Sequence, residues 1–390
     1  MNALRLYYFF VFAMYAVVIP HYQIFLRATG YSPVAVGLMI GFFEISGVLG
    51  PMILGRVADR TGRFRELKVA TTLLGGVTIM ILLADLPFFA ALLVSAITGF
   101  LFKVSVPLTD AVAGSVLSDP REQYGKVRVF GSLGFAAAGV VVPLFSLVDQ
   151  DSPLSMIIAF IGSMLIFAAV VLFVPPPTPV EEPEAEETAP DSALPTEKAE
   201  RIAPLFWLVL GAVSFGNIAF GGYNSFFSLY LKEELGVQAV TFFWSIAAIS
   251  EVPIIFYSGK LIKRFGIGPL LAGSALIMAV RLLLYALAPT IALVVIIQTL
   301  HALTFGLMLS VGFNYVNQST PKKSRGTAMA AFNALGIGLA VFVGSILGGL
   351  LVENFGYTGM FAILSIAPAG SAAMLILLIK RHGELVPAGR

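Results

Sequence analysis

Gly55-Arg56-Val57-Ala58-Asp59-Arg60-Thr61-Gly62-Arg63 closes the second long apolar run of this chain, and Gly259-Lys260-Leu261-Ile262-Lys263-Arg264-Phe265-Gly266 closes the eighth. Gly55, Arg60 and Gly62 recur as Gly259, Arg264 and Gly266, each 204 residues later. The breaks after the fourth and tenth runs also match in outline: Pro120 stands five residues before Gly125, and Pro321 five before Gly326. A pattern that returns after six apolar runs with unchanged polarity predicts two similar six-helix halves with a site between them.

Working outward from these loops, apolar runs long enough to span a bilayer, about 17–25 residues or more, fall near 4–27, 33–57, 67–84, 87–117, 123–147, 153–175, 204–231, 238–262, 268–287, 290–317, 325–352 and 358–380. The fold class expected is an all-α membrane protein of twelve transmembrane helices. Composition agrees: 58% of residues are hydrophobic, 12% are charged, and mean hydropathy is +0.92, whereas a soluble domain carries about 25% charged residues. The first run begins at Leu4 without a small-residue cleavage site, so no cleavable signal peptide is expected. There is no cysteine, which excludes disulfides and Cys-ligated metal or iron–sulfur centres. His21, His301 and His382 are far apart in sequence, and no metal site is expected.

Basic residues set the orientation. Three of the 24 Lys and Arg residues, Lys103, Arg128 and Arg281, sit in runs away from their ends. With the N-terminus inside, 19 of the other 21 fall on the cytoplasmic side, and only Arg27 and Lys232 fall outside. Both termini are therefore expected in the cytoplasm of a bacterial cell, with the chain in its inner membrane. Residues 176–202, PPPTPVEEPEAEETAPDSALPTEKAER, are rich in Pro, Glu and Ala and read as a cytoplasmic linker. It joins a first lobe, 1–175, to a second, 203–390.

Seven ionisable side chains lie inside the runs: Glu44, Lys103, Asp110, Arg128, Glu251, Arg281 and His301. A charge at the bilayer centre costs roughly 2.5–3.5 kcal/mol on insertion scales, so it needs a partner or a task. Static pairs that hold helices together are one reading. Movement of a polar solute is the other, and the number of such residues favours it.

The G-x-x-x-D-R-x-G-R stretch at 55–63 resembles the loop signature of the major facilitator superfamily. That resemblance implies a gating loop made by Gly55, Asp59, Arg60, Gly62 and Arg63, latched in the outward-facing state; simple topogenic charge would satisfy the same residues. Pro107-Leu108-Thr109-Asp110 and Tyr124-Gly125-Lys126-Val127-Arg128-Val129-Phe130-Gly131-Ser132-Leu133-Gly134-Phe135 narrow the likeness. They are similar to the branch of lactose, phenylpropionate and nucleoside permeases, as are Met278-Ala279-Val280-Arg281 and Thr299-Leu300-His301. The resemblance implies that Asp110 and Arg128 bind substrate and that Phe135 stacks on it.

The chemistry of those positions can be argued on its own. A carboxylate and a guanidinium on adjoining helices satisfy each other when a site is empty, and a hydroxylated solute can then accept from Arg128 and donate to Asp110. A planar guanidinium gives two-point recognition that an ammonium does not. Tyr22 or Phe135 can cover an apolar ring, and Asn224 and Asn314 are candidates to line the second lobe's side. Lys103 stands seven residues before Asp110, two turns away on one face, and can pair with Glu44; a structural pair and a functional one are both open.

Departures from the branch are informative. Its charged pairs between spans 7 and 10 and between spans 7 and 11 fall here on Asn217, Phe220, Gln298 and Ile337, all neutral. Thr304 stands where the resemblance implies the main proton-carrying acid. Glu251, in Ile249-Ser250-Glu251-Val252-Pro253, is the one acid inside an apolar run of the second lobe. A carboxyl in apolar surroundings holds its proton, and a nearby guanidinium favours release. Glu251, Arg281 and His301, with Glu44 and Lys103 in the first lobe, are therefore the coupling candidates, though His301 can equally be a packing residue.

No H-E-x-x-H, G-x-S-x-G or P-loop pattern is present, so neither an enzyme nor an ATP-driven pump is expected. The function expected is secondary active transport: a proton-coupled symporter importing a sugar, nucleoside or aromatic acid, with a uniporter or proton-coupled exporter as the alternative. It calls for no cofactor beyond a proton gradient. The partners expected are a small-molecule substrate and the lipid bilayer, with no nucleic acid, and the functional unit a monomer.

Overall fold

The computed structural model describes residues 2–174, 201–287 and 290–385, and helix is the regular structure found throughout them. Residues 176–200 of the linker lie outside the described residues. The elements are α1 Asn2–Ala28, α2 Pro33–Thr61, α3 Phe64–Ile81, α4 Phe88–Phe102, α5 Ser105–Val116, α6 Pro120–Leu144 and α7 Pro153–Phe173 in the first half. In the second half they are α8 Pro204–Leu229, α9 Val240–Phe265, α10 Ile267–Leu287, α11 Ile291–Thr299, α12 Leu307–Ser319, α13 Arg325–Ala331, α14 Ala340–Leu364 and α15 Ile366–His382.

Among the described residues, ten helical stretches are long and apolar enough to cross a membrane. The last, Lys322–His382, has 61 residues; as one straight helix it would be about 90 Å long, three hydrocarbon cores deep. It turns back at Gly356, whose φ of 67° only glycine adopts without strain, and so holds two traverses. Helix α3 adds another; its first turns carry Arg65, Glu66 and Lys68 ahead of the apolar stretch. Counted this way, the fold is consistent with twelve traverses.

Local chemistry fixes the helix ends. Ser32 accepts a hydrogen bond from Ala35 N ahead of Pro33, and Ser152 does the same for Ser155 N ahead of Pro153. Gly62, at φ 67°, returns its N–H to Ala58 O and stops α2 where the basic loop begins. The break between α4 and α5 falls at Lys103-Val104. Pro107 has no N–H to give the carbonyl four residues back, which is that of Lys103. Single π turns interrupt the helix at Ala302–Gly306, directly after His301, and at Tyr230–Glu234. Such insertions are frequent at functional sites.

The halves meet closely at the end of the bundle away from the chain termini. Gln23 of α1 spans to α8 with both ends of its amide: Nε2 donates to Asn224 O (3.1 Å), and Oε1 accepts from Ser228 N (3.0 Å). Above it Arg27 pairs with Glu233 at 3.3 Å and Lys232 with Asp151 at 2.8 Å. Gly37 and Gly349 bring α2 against α14, and Gly139 brings α6 against Thr241 and Ser245 of α9. The opposite, basic end carries Asp59, Arg60 and Arg63, all exposed and free of ion pairs to other described residues. One apolar cluster runs from Phe43, Phe102 and Phe160 into Tyr223, Phe227 and Phe361, so the halves share a core. Outward faces stay apolar, with Phe89, Phe173 and Phe256 exposed by 81%, 83% and 79%, the surface a lipid phase covers.

Candidate functional site

Four helices of the first half bring Tyr8, Asp110, Tyr124 and Arg128 together with Lys103 and Glu44. Asp110, on α5, accepts at Oδ1 from the Tyr8 hydroxyl (2.6 Å) and the Tyr124 hydroxyl (3.0 Å). Arg128, on α6, lies over the rings of Phe12 (4.1 Å) and Tyr8 (5.5 Å). Asp110 and Arg128 therefore do not pair directly, contrary to the sequence expectation. The Tyr8 side chain gives its hydroxyl to the acid and its ring face to the base. Gly131 makes this possible, since a Cβ there would stand 2.7 Å from Phe12 and 2.9 Å from Arg128 Nη1. Lys103 forms an ion pair with Glu44 and lies 5.3 Å over the Phe43 ring. Gly47 leaves room for its stem, as a Cβ there would meet Lys103 Cδ at 2.5 Å. Tyr15 sits among these groups and is exposed to the fields of Glu44, Asp110 and Arg128.

The second half holds a linear relay. Glu251 Oε1 of α9 lies 2.9 Å from His301 Nε2, and His301 Nδ1 lies 3.0 Å from Arg281 Nη1. Arg281 is completely buried. Its Nη2 donates to Gln298 Oε1 (2.5 Å) and Tyr223 OH (2.7 Å), and Nη1 reaches Thr304 Oγ1 at 3.4 Å. A guanidinium only donates, so His301 Nδ1 must be the acceptor and the ring proton sits on Nε2, directed at Glu251. Gly306 clears the path for the acid: a Cβ there would stand 3.0 Å from Glu251 Cγ.

Other candidates are placed differently. Tyr22 is wedged between Phe43 and Phe25, and its hydroxyl is taken by Ser95 (2.7 Å), so it is a packing residue of the first half. Asn224 contributes its backbone carbonyl to Gln23, and the Asn314 amide donates to Ser310 O of its own helix (2.9 Å). Phe135 is half-buried where α6 meets α9, its carbonyl 3.5 Å from Ser245 Oγ. Sequence reasoning reaches neither Tyr8 nor Tyr285, and it gives Tyr124 and Gln298 no binding role, because single Tyr and Gln residues in apolar helices carry no pattern; Tyr223 is legible only as one polar residue able to line the second lobe's side. It also counted Lys68 with the basic loops, whereas Lys68 is 1% exposed and lies 4.7 Å over the Tyr7 ring. Its place in the apolar run from 67 was the available signal.

Comparison with known proteins bears on this arrangement. The model of the "MFS_1 like family" matches residues 1–363. The chain is similar to a maltose permease of Geobacillus stearothermophilus, 27% identical over 380 residues, covering 97% of this chain and 94% of that protein. It is similar to a probable 3-phenylpropionic acid transporter of Escherichia coli (strain K12), 25% identical over 375 residues, 93% and 94% covered. Among solved structures it resembles a mutant of the nucleoside transporter NupG, with a TM-score of 0.80 at 19% identity, covering 97% of this chain and 99% of that one.

Proposed function

The chain belongs to the MFS_1 like family, whose fold and permease relatives make it a membrane-embedded carrier of a small solute and not an enzyme, and from that premise we propose a proton-coupled symporter that imports a sugar, nucleoside or aromatic acid by alternating access. Its two lobes, 1–175 and 203–390, rock about the central site, and the 176–202 linker tethers them. It sits as a monomer in the bacterial inner membrane with both termini in the cytoplasm, driven by the proton gradient without a cofactor. With the termini inside, the closed end is the outer one and the structure is inward-facing. The unlatched 55–63 loop fits this, since that loop is read as holding the outward-facing state.

The observation that carries the coupling proposal is the Glu251–His301–Arg281 relay. The acid missing at 304 is supplied from a neighbouring helix, α9, to the same histidine. With Glu251 ionised, a neutral imidazole bridges opposite charges: carboxylate, imidazole, guanidinium. A proton arriving at Glu251 removes the anionic acceptor of the His301 N–H. A proton arriving at His301 Nδ1 turns the lone pair facing Arg281 into a donor, and two donors repel. The first event weakens the Glu251–His301 link by removing its charge and the second breaks the His301–Arg281 link, so the relay has two arrangements that a proton selects. Arg128 recognises the solute, with Asp110 holding the Tyr8 and Tyr124 hydroxyls beside it. Uptake into proteoliposomes with and without an inward-directed proton gradient tests the reading. A gradient-driven overshoot supports symport; equal uptake in both conditions would make the protein a uniporter, and depletion of solute from the lumen an exporter.

A further inference from the structure

Arg128 differs from Lys103 and Arg281. Lys103 has Glu44, and Arg281 has His301, Gln298, Tyr223 and Tyr285. Arg128 has two aromatic faces and no hydrogen bond or ion pair to any described residue. Its natural partner, Asp110, is engaged at Oδ1 by two tyrosine hydroxyls. Buried Lys68 also lies within electrostatic reach of Asp110, and the structure gives it the Tyr7 ring and no acid in contact. The first half thus leaves Arg128 with no acid in contact among the described residues, while Lys103 is matched by Glu44. In the second half Arg281 is matched by Glu251. Arg128 is half-buried; a guanidinium with no acid in contact is only partly compensated there, and an incoming anion supplies the missing partner.

Helix α6 shows what body such an anion has. Arg128, Ser132, Phe135 and Gly139 are spaced i, i+4, i+7 and i+11, so they form one stripe along the helix. Gly139, at its far end, is sealed against Thr241 and Ser245 of the other half. Arg128 and Ser132 lie toward the open end, and Ser132, half-buried, makes no hydrogen bond to any described residue. From Arg128 to Phe135 is seven residues, about 10 Å along the axis. The stripe therefore offers a planar cation and a hydroxyl at one end and an aromatic ring at the other, with Tyr8, Phe12 and Tyr124 beside them.

Resting on the reading of the chain as a transporter with a central site, we propose that its solute is an organic monoanion: a carboxylate on an apolar, aryl-bearing body, held by Arg128 and Ser132 with its ring toward Phe135. Asp110 is then the anchor of the Tyr8 and Tyr124 hydroxyls, and its charge limits how tightly the anion is held.

The test is thermal stabilisation of the full-length purified protein by ligands. Monocarboxylates from benzoate to 4-phenylbutyrate are each paired with the primary amide of the same shape, and maltose and uridine are included. At least one acid stabilises the protein with an apparent affinity ten or more times that of its amide. Arg128→Gln abolishes that stabilisation while melting normally without ligand, and Asp110→Asn, which removes the opposing charge, strengthens it. Amide, maltose or uridine binding as well as the best acid overturns the anion assignment and leaves the transport reading standing, as does a tenfold weakening of the acid by Asp110→Asn. If no solute of any of these classes is bound or carried, both readings fall.

Discussion

Gly139→Leu should force the closed end open. A Cβ at residue 139 would overlap Ser245 Oγ and lie 2.7 Å from Thr241 O and 2.9 Å from Ser245 Cβ. The hydroxyl can rotate away, but the carbonyl and Cβ are fixed to α9. Ordinary contact begins near 3.4 Å, so α6 and α9 must part by about 0.7 Å (3.4 − 2.7) for the first carbon alone, and leucine adds three more. Overpacking of this kind costs about 1–3 kcal/mol. Because α6 and α9 belong to different halves, that cost falls only on the arrangement in which they touch. About 2 kcal/mol shifts a two-state equilibrium roughly 30-fold toward the arrangement in which they are apart. The chain has no native cysteine, so spin labels can be placed directly, one pair at Ser32 and Gln238 across the closed end and one at Thr61 and Lys263 across the basic end. Gly139→Leu should add a longer component to the first distance and a shorter one to the second. Gly162→Leu on α7, where nothing lies within 4 Å of the added Cβ, is the matched control. If both variants give the same distributions as the parent, the halves do not rock about this contact.

Arg128→Lys keeps the charge but loses the planar fork and its stacking on Phe12; solute binding should weaken at least tenfold, read by isothermal titration, with the apo melting temperature unchanged. Gly306→Ala presses on Glu251 Cγ, 3.0 Å away, and should lengthen the 2.9 Å Glu251–His301 contact; steady-state accumulation should fall severalfold while binding persists, and unchanged accumulation would mean the contact is not used. Asp59→Asn, on an exposed loop far from the cavity, should slow transport without changing affinity; normal turnover in flux assays would reduce the loop to a topology signal.

The spans were legible because a bilayer demands long apolar helices whatever the sequence details. The α4–α5 break was not anticipated, although Pro107 announces it once the carbonyl four residues back is considered. Arg27 and Lys232, the two exceptions in the charge count, lie in ion pairs that join the halves; the exceptions themselves held that information. The order Glu251–His301–Arg281 was only partly readable. Spacing put Arg281 and His301 on neighbouring helices, but Glu251 is 50 residues before His301. Its contact depends on the close approach that Gly306 allows and on a π turn beginning at Ala302, for which no local pattern exists. The expected Asp110–Arg128 pair failed because charge complementarity says nothing about a tyrosine placed between the two, and Tyr8 occupies that place.

The central claim is that Glu251 carries the coupling proton, and Glu251→Gln tests it most directly. The variant and the parent are reconstituted into proteoliposomes, and counterflow exchange of solute is compared with uptake driven by an imposed pH gradient. Glutamine can still accept the His301 N–H but has no proton to release, so counterflow should continue near the parental rate while pH-driven accumulation disappears. If Glu251→Gln concentrates solute against its gradient with the parent's pH dependence, the relay is a structural contact and the driving ion enters elsewhere.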